Sequence, residues 1–108
     1  MMKIVFIETK QFRRKLRKVW NEKAFSDLKD DLTDNPDLGD VLRGGDGIRK
    51  LRRRAEGRGK SAGVRIIYYW QGTRDIILML DIYAKSEKSD LTDRELQQLV
   101  KIKRELLG

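Results

Sequence analysis

The sequence predicts a single α+β domain over residues 1–108, an antiparallel-rich sheet with helices packed on one face, in the order β-α-α-β-β-β-α. Three observations predict it. A chain of 108 residues is long enough for one modest core and too short for two. Two contiguous segments between Val64 and Lys85 alternate in character residue by residue, as strands do. The segments flanking them carry apolar residues at helical spacing. Strands adjacent in sequence pair antiparallel, and helices that bury one stripe then cover the sheet.

Taken in order, Ile4-Val5-Phe6-Ile7 is a continuous apolar run of the kind expected for a strand buried on both faces. Thr9 is an N-cap for a basic amphipathic helix in which Phe12, Leu16 and Val19 recur among Arg13, Arg14, Lys15, Arg17 and Lys18. Asn21 caps a second helix with the apolar stripe Phe25, Leu28 and Leu32, and Asn35-Pro36 closes it. Gly39, Gly44, Gly45 and Gly47 mark irregular backbone, after which Ile48 to Arg54 has room for one short strand. Beyond a bend at Glu56-Gly57-Arg58-Gly59-Lys60, Val64, Ile66, Tyr68 and Trp70 alternate with Arg65, Ile67 and Tyr69. Gln71 to Asp75 turns the chain. The return strand, Ile76 to about Lys85, is expected to set Leu78, Leu80 and Ile82 on one face and Met79, Asp81, Tyr83 and Lys85 on the other. Thr92 and Glu95 have capping-box spacing, Leu91 and Leu96 that of a hydrophobic staple, and Leu96, Leu99, Val100, Leu106 and Leu107 form the apolar side of the last helix.

The composition narrows function. Lys plus Arg number 25 against 17 Asp plus Glu, a formal charge of +8, so polyanions are attracted and nucleic acid is the first partner to consider. The absence of cysteine excludes disulfides and thiolate ligands and fits a cytoplasmic home. The absence of histidine removes the usual general base and the usual zinc ligand. Catalysis, if present, runs on Lys, Arg, Tyr or carboxylates, and no metal or other cofactor is expected. The N-terminal apolar run is too short to be a signal-peptide core or a membrane span.

The basic cluster Arg49, Lys50, Arg52, Arg53, Arg54, Arg58, Lys60 and Arg65 is relieved mainly by Glu56. Such density suits phosphate binding; the alternative is a solvated edge whose charge discourages strand association. Alternation along a strand puts Arg52 and Arg54 on one face and Arg53 on the other. Gly57-Arg58-Gly59-Lys60 is either a flexible loop or an anion cradle, and it lacks the spacing and the following Ser or Thr of a nucleotide-triphosphate loop. Of the aromatics, Tyr68 and Trp70 are expected under the helices, leaving Tyr69 and Tyr83 to meet RNA bases. The acidic run Asp27 to Asp34 reads as a solvated helix face.

Several segments in order resemble the HigB branch of the RelE/ParE toxin superfamily: Asn35-Pro36-Asp37-Leu38-Gly39-Asp40-Val41, Gly47-Ile48-Arg49-Lys50-Leu51-Arg52, Gly59-Lys60-Ser61-Ala62-Gly63-Val64-Arg65-Ile66-Ile67-Tyr68-Tyr69, and Tyr83-Ala84-Lys85-Ser86-Glu87-Lys88-Ser89-Asp90-Leu91-Thr92. Ala62 stands where the branch often has Gly, and Ser86 where it often has Asn. RelE's tyrosine near the start of the last helix corresponds to about Thr92, with Tyr83 the nearest substitute in sequence. The resemblance implies a ribosome-dependent mRNA endoribonuclease that contacts ribosomal RNA and is neutralised by a cognate HigA-like, helix-turn-helix antitoxin. On that reading Arg65, Lys85, Lys88, Lys60 and Tyr83 are the catalytic candidates, and Arg49, Lys50, Arg52, Arg54, Arg58 and Tyr69 the RNA-binding ones. Cations alone can activate a 2′-OH, stabilise a phosphorane and protonate a leaving oxygen. Two other readings stand beside this one: a ParE-like gyrase inhibitor of the same fold, against which the set Lys60, Arg65 and Lys85 argues, and a non-catalytic RNA- or ribosome-binding domain.

Overall fold

A computed structural model of the chain describes residues 3–54 and 63–108. The elements are β1 (Val5–Glu8), α1 (Lys10–Val19), α2 (Glu22–Asp34), β2 (Asp40–Val41), β3 (Arg49–Arg53), β4 (Val64–Gln71), β5 (Ile76–Ala84) and α3 (Asp93–Leu107). They form one sheet ordered β1-β5-β4-β3-β2, antiparallel except for the parallel pair of β1 with β5. The α+β class follows the sequence, with one strand more than expected. β2 is two residues long and has no periodicity to betray it, yet Asp40 and Val41 pair with Lys50 and Arg49.

The helices do not share one face. Phe12 and Leu16 of α1 and Phe25, Leu28 and Leu32 of α2 pack with Leu51, Val64, Ile66, Tyr68, Ile77, Met79 and Ile82. Leu96, Leu99 and Val100 of α3 pack instead with Ile48, Ile67, Leu78, Leu80 and Tyr83, the residues that alternate with the first set. Both sheet faces are therefore covered, because β4 and β5 are apolar on both sides and neither side can be left to water. The first strand also departs from its reading. β1 lies at the sheet edge with Val5 56% exposed, and its apolar run is half covered rather than enclosed.

The alternation of β5 is interrupted. Ile67 pairs with Asp81 while Tyr68 pairs with Met79, so Leu80 is an extra residue, a β-bulge. That insertion reverses the parity of the rest of the strand. Ile82 falls on the α1/α2 face and Tyr83 on the α3 face with Leu78 and Leu80, whereas unbroken alternation would put Leu78, Leu80 and Ile82 together. Three side-chain bonds hold the bulge. The Thr9 hydroxyl donates to the Leu80 carbonyl (3.1 Å) while accepting from the Phe12 N–H as the α1 cap. The Asp81 carboxylate accepts from the Ile82 N–H and from Lys15 Nζ, both at 2.9 Å.

Elsewhere, Tyr68 anchors the α2–β2 link by donating to the Pro36 carbonyl and accepting from the Gly39 N–H, both at 2.8 Å. A Cβ on Gly39 would stand 2.9 Å from both the Tyr68 ring and the Lys50 carbonyl oxygen, so this close approach requires glycine. Asp46 accepts from Lys103 (2.6 Å) and Arg104 (3.1 Å), which fastens the second half of α3 to the loop before β3.

The bulge contacts make a test. Asp81→Ala removes a 2% exposed carboxylate and leaves the Ile82 N–H and Lys15 without their partner. Urea denaturation is expected to show a loss of about 2–3 kcal/mol, as for other broken pairs with one buried and one partly exposed member. A loss near zero would mean that the bulge stands without this pair.

Candidate functional site

Directly paired residues of neighbouring strands point to the same side of a sheet. Arg65 of β4 pairs with Arg52 of β3 on one side and with Tyr83 of β5 on the other. These three side chains thus form a row across three strands on the α3 face. The next row toward α3, Lys50 and Ile67, adds a fourth polar group. Apolar residues of α3 cover the sheet beyond this point, so the row lies at the open end of that face.

The segment between β5 and α3 closes the other border. Its first N–H, from Lys85, donates to the Gly63 carbonyl at 3.0 Å, continuing the β4–β5 ladder for one step. Gly63 itself has φ +72°, and a Cβ there would collide with the Arg53 carbonyl at 2.3 Å, so only glycine opens β4 at this point. Lys85 Nζ then donates to the Ser89 carbonyl (3.1 Å). Lys88 Nζ lies 4.9 Å from the centre of the Tyr83 ring and donates to Glu95 (2.6 Å). Lys50 Nζ reaches Asp90 at 3.1 Å. Five cations, Lys50, Arg52, Arg65, Lys85 and Lys88, and one phenol therefore border a single patch.

Burial divides these groups. Arg52 is exposed, while Arg65 is 9% and Tyr83 2% exposed. The Tyr83 hydroxyl is buried without a hydrogen-bond partner among the described residues. Burial, reinforced by the charges of Asp90, Asp81 and Glu95 and opposed by Arg65, pushes this phenol up to about 12. Tyr83 consequently holds its proton at neutral pH and can donate, but it is a poor base. The paired carboxylates move the other way: Lys50 holds Asp90, and Lys88 holds Glu95, below the usual carboxylate range.

The other expected site residues fall elsewhere. Arg49 lies on the opposite face, where it donates to the carbonyls of Asp37 and Gly39. Arg53 shares that face and pairs with Asp31 of α2. Tyr69 is on the α3 face but four residues along β4 from Arg65, roughly 13 Å at the usual strand rise. Its ring lies beneath Lys103, at 4.4 Å, away from the patch. Arg54 follows β3 as an exposed residue whose carbonyl accepts from Trp20 Nε1. Arg58 and Lys60 lie outside the described residues. Among the described residues, no group of three His, Cys, Asp or Glu side chains converges as a metal site, and no helix is long and apolar enough to cross a membrane.

Asp90 and Glu95 were not among the expected site residues. Glu95 was legible only as a helix cap, a role it also fills by accepting from the Thr92 N–H. Asp90 carries no local signal, because its partner is forty residues away in the chain.

Fold and patch together define a small basic α+β protein with a cation-lined patch on one sheet face. The comparisons with known proteins sharpen that class. The family described as "RelE toxin of RelE / RelB toxin-antitoxin system" matches residues 2–108. Among solved structures, the free state of E. coli toxin RelE, in a doubly arginine-to-alanine mutated form, superposes with a TM-score of 0.61 at 16% identity, covering 95% of this chain and 98% of that one. The chain belongs to the RelE toxin family of toxin–antitoxin systems.

The phenol supplies a pH test. Burial raises the Tyr68 phenol as well, so spectrophotometric titration is expected to show a high-pH ionisation at about 12 that loses one tyrosine's amplitude in Tyr83→Phe. Unfolded, the same phenol ionises near its ordinary ~10. Deprotonation thus favours the unfolded state first, and the stability due to Tyr83 is present below that value and lost as pH rises toward 12. Tyr83→Phe is expected to flatten this alkaline decline. An unchanged decline would place its origin elsewhere.

Proposed function

We propose that this chain is a ribosome-dependent mRNA endoribonuclease of the HigB branch that arrests translation by cutting RNA through its own 2′-OH, without a metal. The row Arg52–Arg65–Tyr83 carries this reading. It sets a fixed cation, an exposed cation and a neutral hydrogen-bond donor side by side, with three lysines at the border. A phosphate laid on the row meets donors from several directions in a partly desolvated place, where a phosphorane's added charge is best stabilised.

In the reaction the 2′-oxygen bonds to phosphorus as its proton leaves to a base. The bond to the 5′-oxygen then breaks, and that oxygen takes a proton. Arg65 and Arg52 remain charged throughout and serve the phosphorane electrostatically. Lys50 and Lys88 already hold carboxylates and act as ammonium donors to phosphate oxygens. Lys85, which donates to the Ser89 carbonyl and, among the described residues, to no carboxylate, is the lysine assigned to proton transfer. The Tyr83 hydroxyl, buried without a hydrogen-bond partner among the described residues, backs the row as a neutral donor behind the bound phosphate. With no histidine or cysteine in the chain and the patch built from cations, metal-held water has no evident place in the scheme. A HigA-like, helix-turn-helix antitoxin as the neutralising partner, contacts to ribosomal RNA and a cytoplasmic setting complete the proposal.

Purified ribosomes programmed with a defined message test it. Cleavage is expected to persist in EDTA when ribosomes are kept intact, to stop with 2′-deoxy substitution at the cut, and to leave a 2′,3′-cyclic phosphate upstream and a 5′-hydroxyl downstream. Five-prime phosphates would overturn the chemistry, and inhibition of gyrase without RNA cutting would favour the ParE-like reading. Arg52→Ala, at an exposed position, is expected to slow cutting by about tenfold to a hundredfold with the unfolding midpoint unchanged.

A further inference from the structure

The lysines of the patch differ in what holds them. Lys50 is 18% exposed at its side chain and reaches one carboxylate, that of Asp90 at 3.1 Å. Asp90 is itself fixed, since the same oxygen accepts from the Leu91 N–H at 2.9 Å. The carboxylate is thus anchored to the backbone just before α3 and holds an ammonium projecting from β3 across the border of the patch. Glu95 does the same for Lys88, but it also completes the helix cap, so its removal would disturb the fold. Asp90 is 61% exposed at its side chain and caps nothing, which makes its contribution separable.

We propose that Asp90 is a positioning residue for RNA cleavage, acting through Lys50: it holds the ammonium beside the Arg52–Arg65–Tyr83 row, so that a bound phosphate meets it in place. This rests on the reading of the patch as a nuclease site. A flexible four-carbon side chain left alone samples many rotamers, and fixing it in advance removes an ordering cost from the transition state. The Asp90 carboxylate, like that of Glu95, also opposes phosphate binding by its charge. The two effects separate experimentally, because positioning raises the rate of the chemical step whereas repulsion weakens association.

Single-turnover cleavage on programmed ribosomes, ribosome binding and the acylation rate of Lys50 by a soluble active ester, mapped by mass spectrometry, are measured for each variant. Asp90→Ala is expected to slow the chemical step by about tenfold to a hundredfold, leave ribosome binding unchanged or tighter, and quicken Lys50 acylation. Asp90→Asn keeps an acceptor for both Lys50 and Leu91, and is expected to recover much of the rate. In a Lys50→Ala background Asp90→Ala is expected to have no further effect, since a contribution made through one residue is non-additive with its loss. Wild-type rates in Asp90→Ala, a loss confined to binding, or full additivity with Lys50→Ala would each overturn the proposal. An Asp90→Ala chain that fails to fold while Asp90→Asn cuts like wild type only at weakened Lys50 protection would do so as well. Failure of the wild-type chain to cut at all sinks the nuclease reading instead, and the acylation rates still report separately whether Asp90 holds Lys50.

Discussion

One extra residue in β5 sets the placement of the whole patch. Without Leu80 as a bulge, Tyr83 would point toward α1 and α2, and the row it forms with Arg65 and Arg52 would be broken. A bulge is not self-supporting, since it leaves backbone groups out of the ladder. Here the start of α1 supplies what is lost: Thr9 bonds the Leu80 carbonyl, Lys15 meets the Asp81 carboxylate, and that carboxylate takes up the Ile82 N–H. The helix that buries one sheet face thereby determines which side chains reach the other.

This dependence explains what was legible in the sequence. Caps and short-range periods depend on neighbours within a few residues, and Thr9, Asn21 and the Thr92–Glu95 box all stand where their spacing placed them. The inward residues of β4 likewise follow strict alternation. The bulge escaped because Leu80 differs in no chemical respect from an ordinary strand residue; its signal is the residue that caps α1, Thr9, seventy-one positions away. The position of α3 was misjudged for a related reason. Apolar residues on both sides of β4 and β5 require cover on both, and reading only one side as core put all three helices together.

The candidate residues sort by the same logic. Strand parity, already readable for Arg52 and Arg53 in the sequence, gives Arg49 and Arg53 to the structural face and Lys50 and Arg52 to the patch, and what it did not reveal is that Arg49 and Arg53 are tied to Gly39 and Asp31. Tyr69 and Tyr83 share a face and an aromatic character, yet only Tyr83 stands beside Arg65. Acidic residues were the least legible members. Glu95 was read as a helix cap alone and Asp90 was given no role, although the two hold two of the lysines that make the patch.

The parallel pairing of β1 with β5 has a consequence for the order in which the protein is made. The first strand can find its partner only after β5 has been synthesised, and α1 and α2 lack most of their apolar floor until β4 and β5 are present. Contacts of such long sequence separation close slowly and together. On a translating ribosome the N-terminal third must therefore wait, unsheltered, while the rest of the polypeptide emerges. The Arg52–Arg65–Tyr83 row, drawn from three strands, comes into being among the last events of maturation, so a truncated nascent chain ending before β5 has no assembled site with which to act.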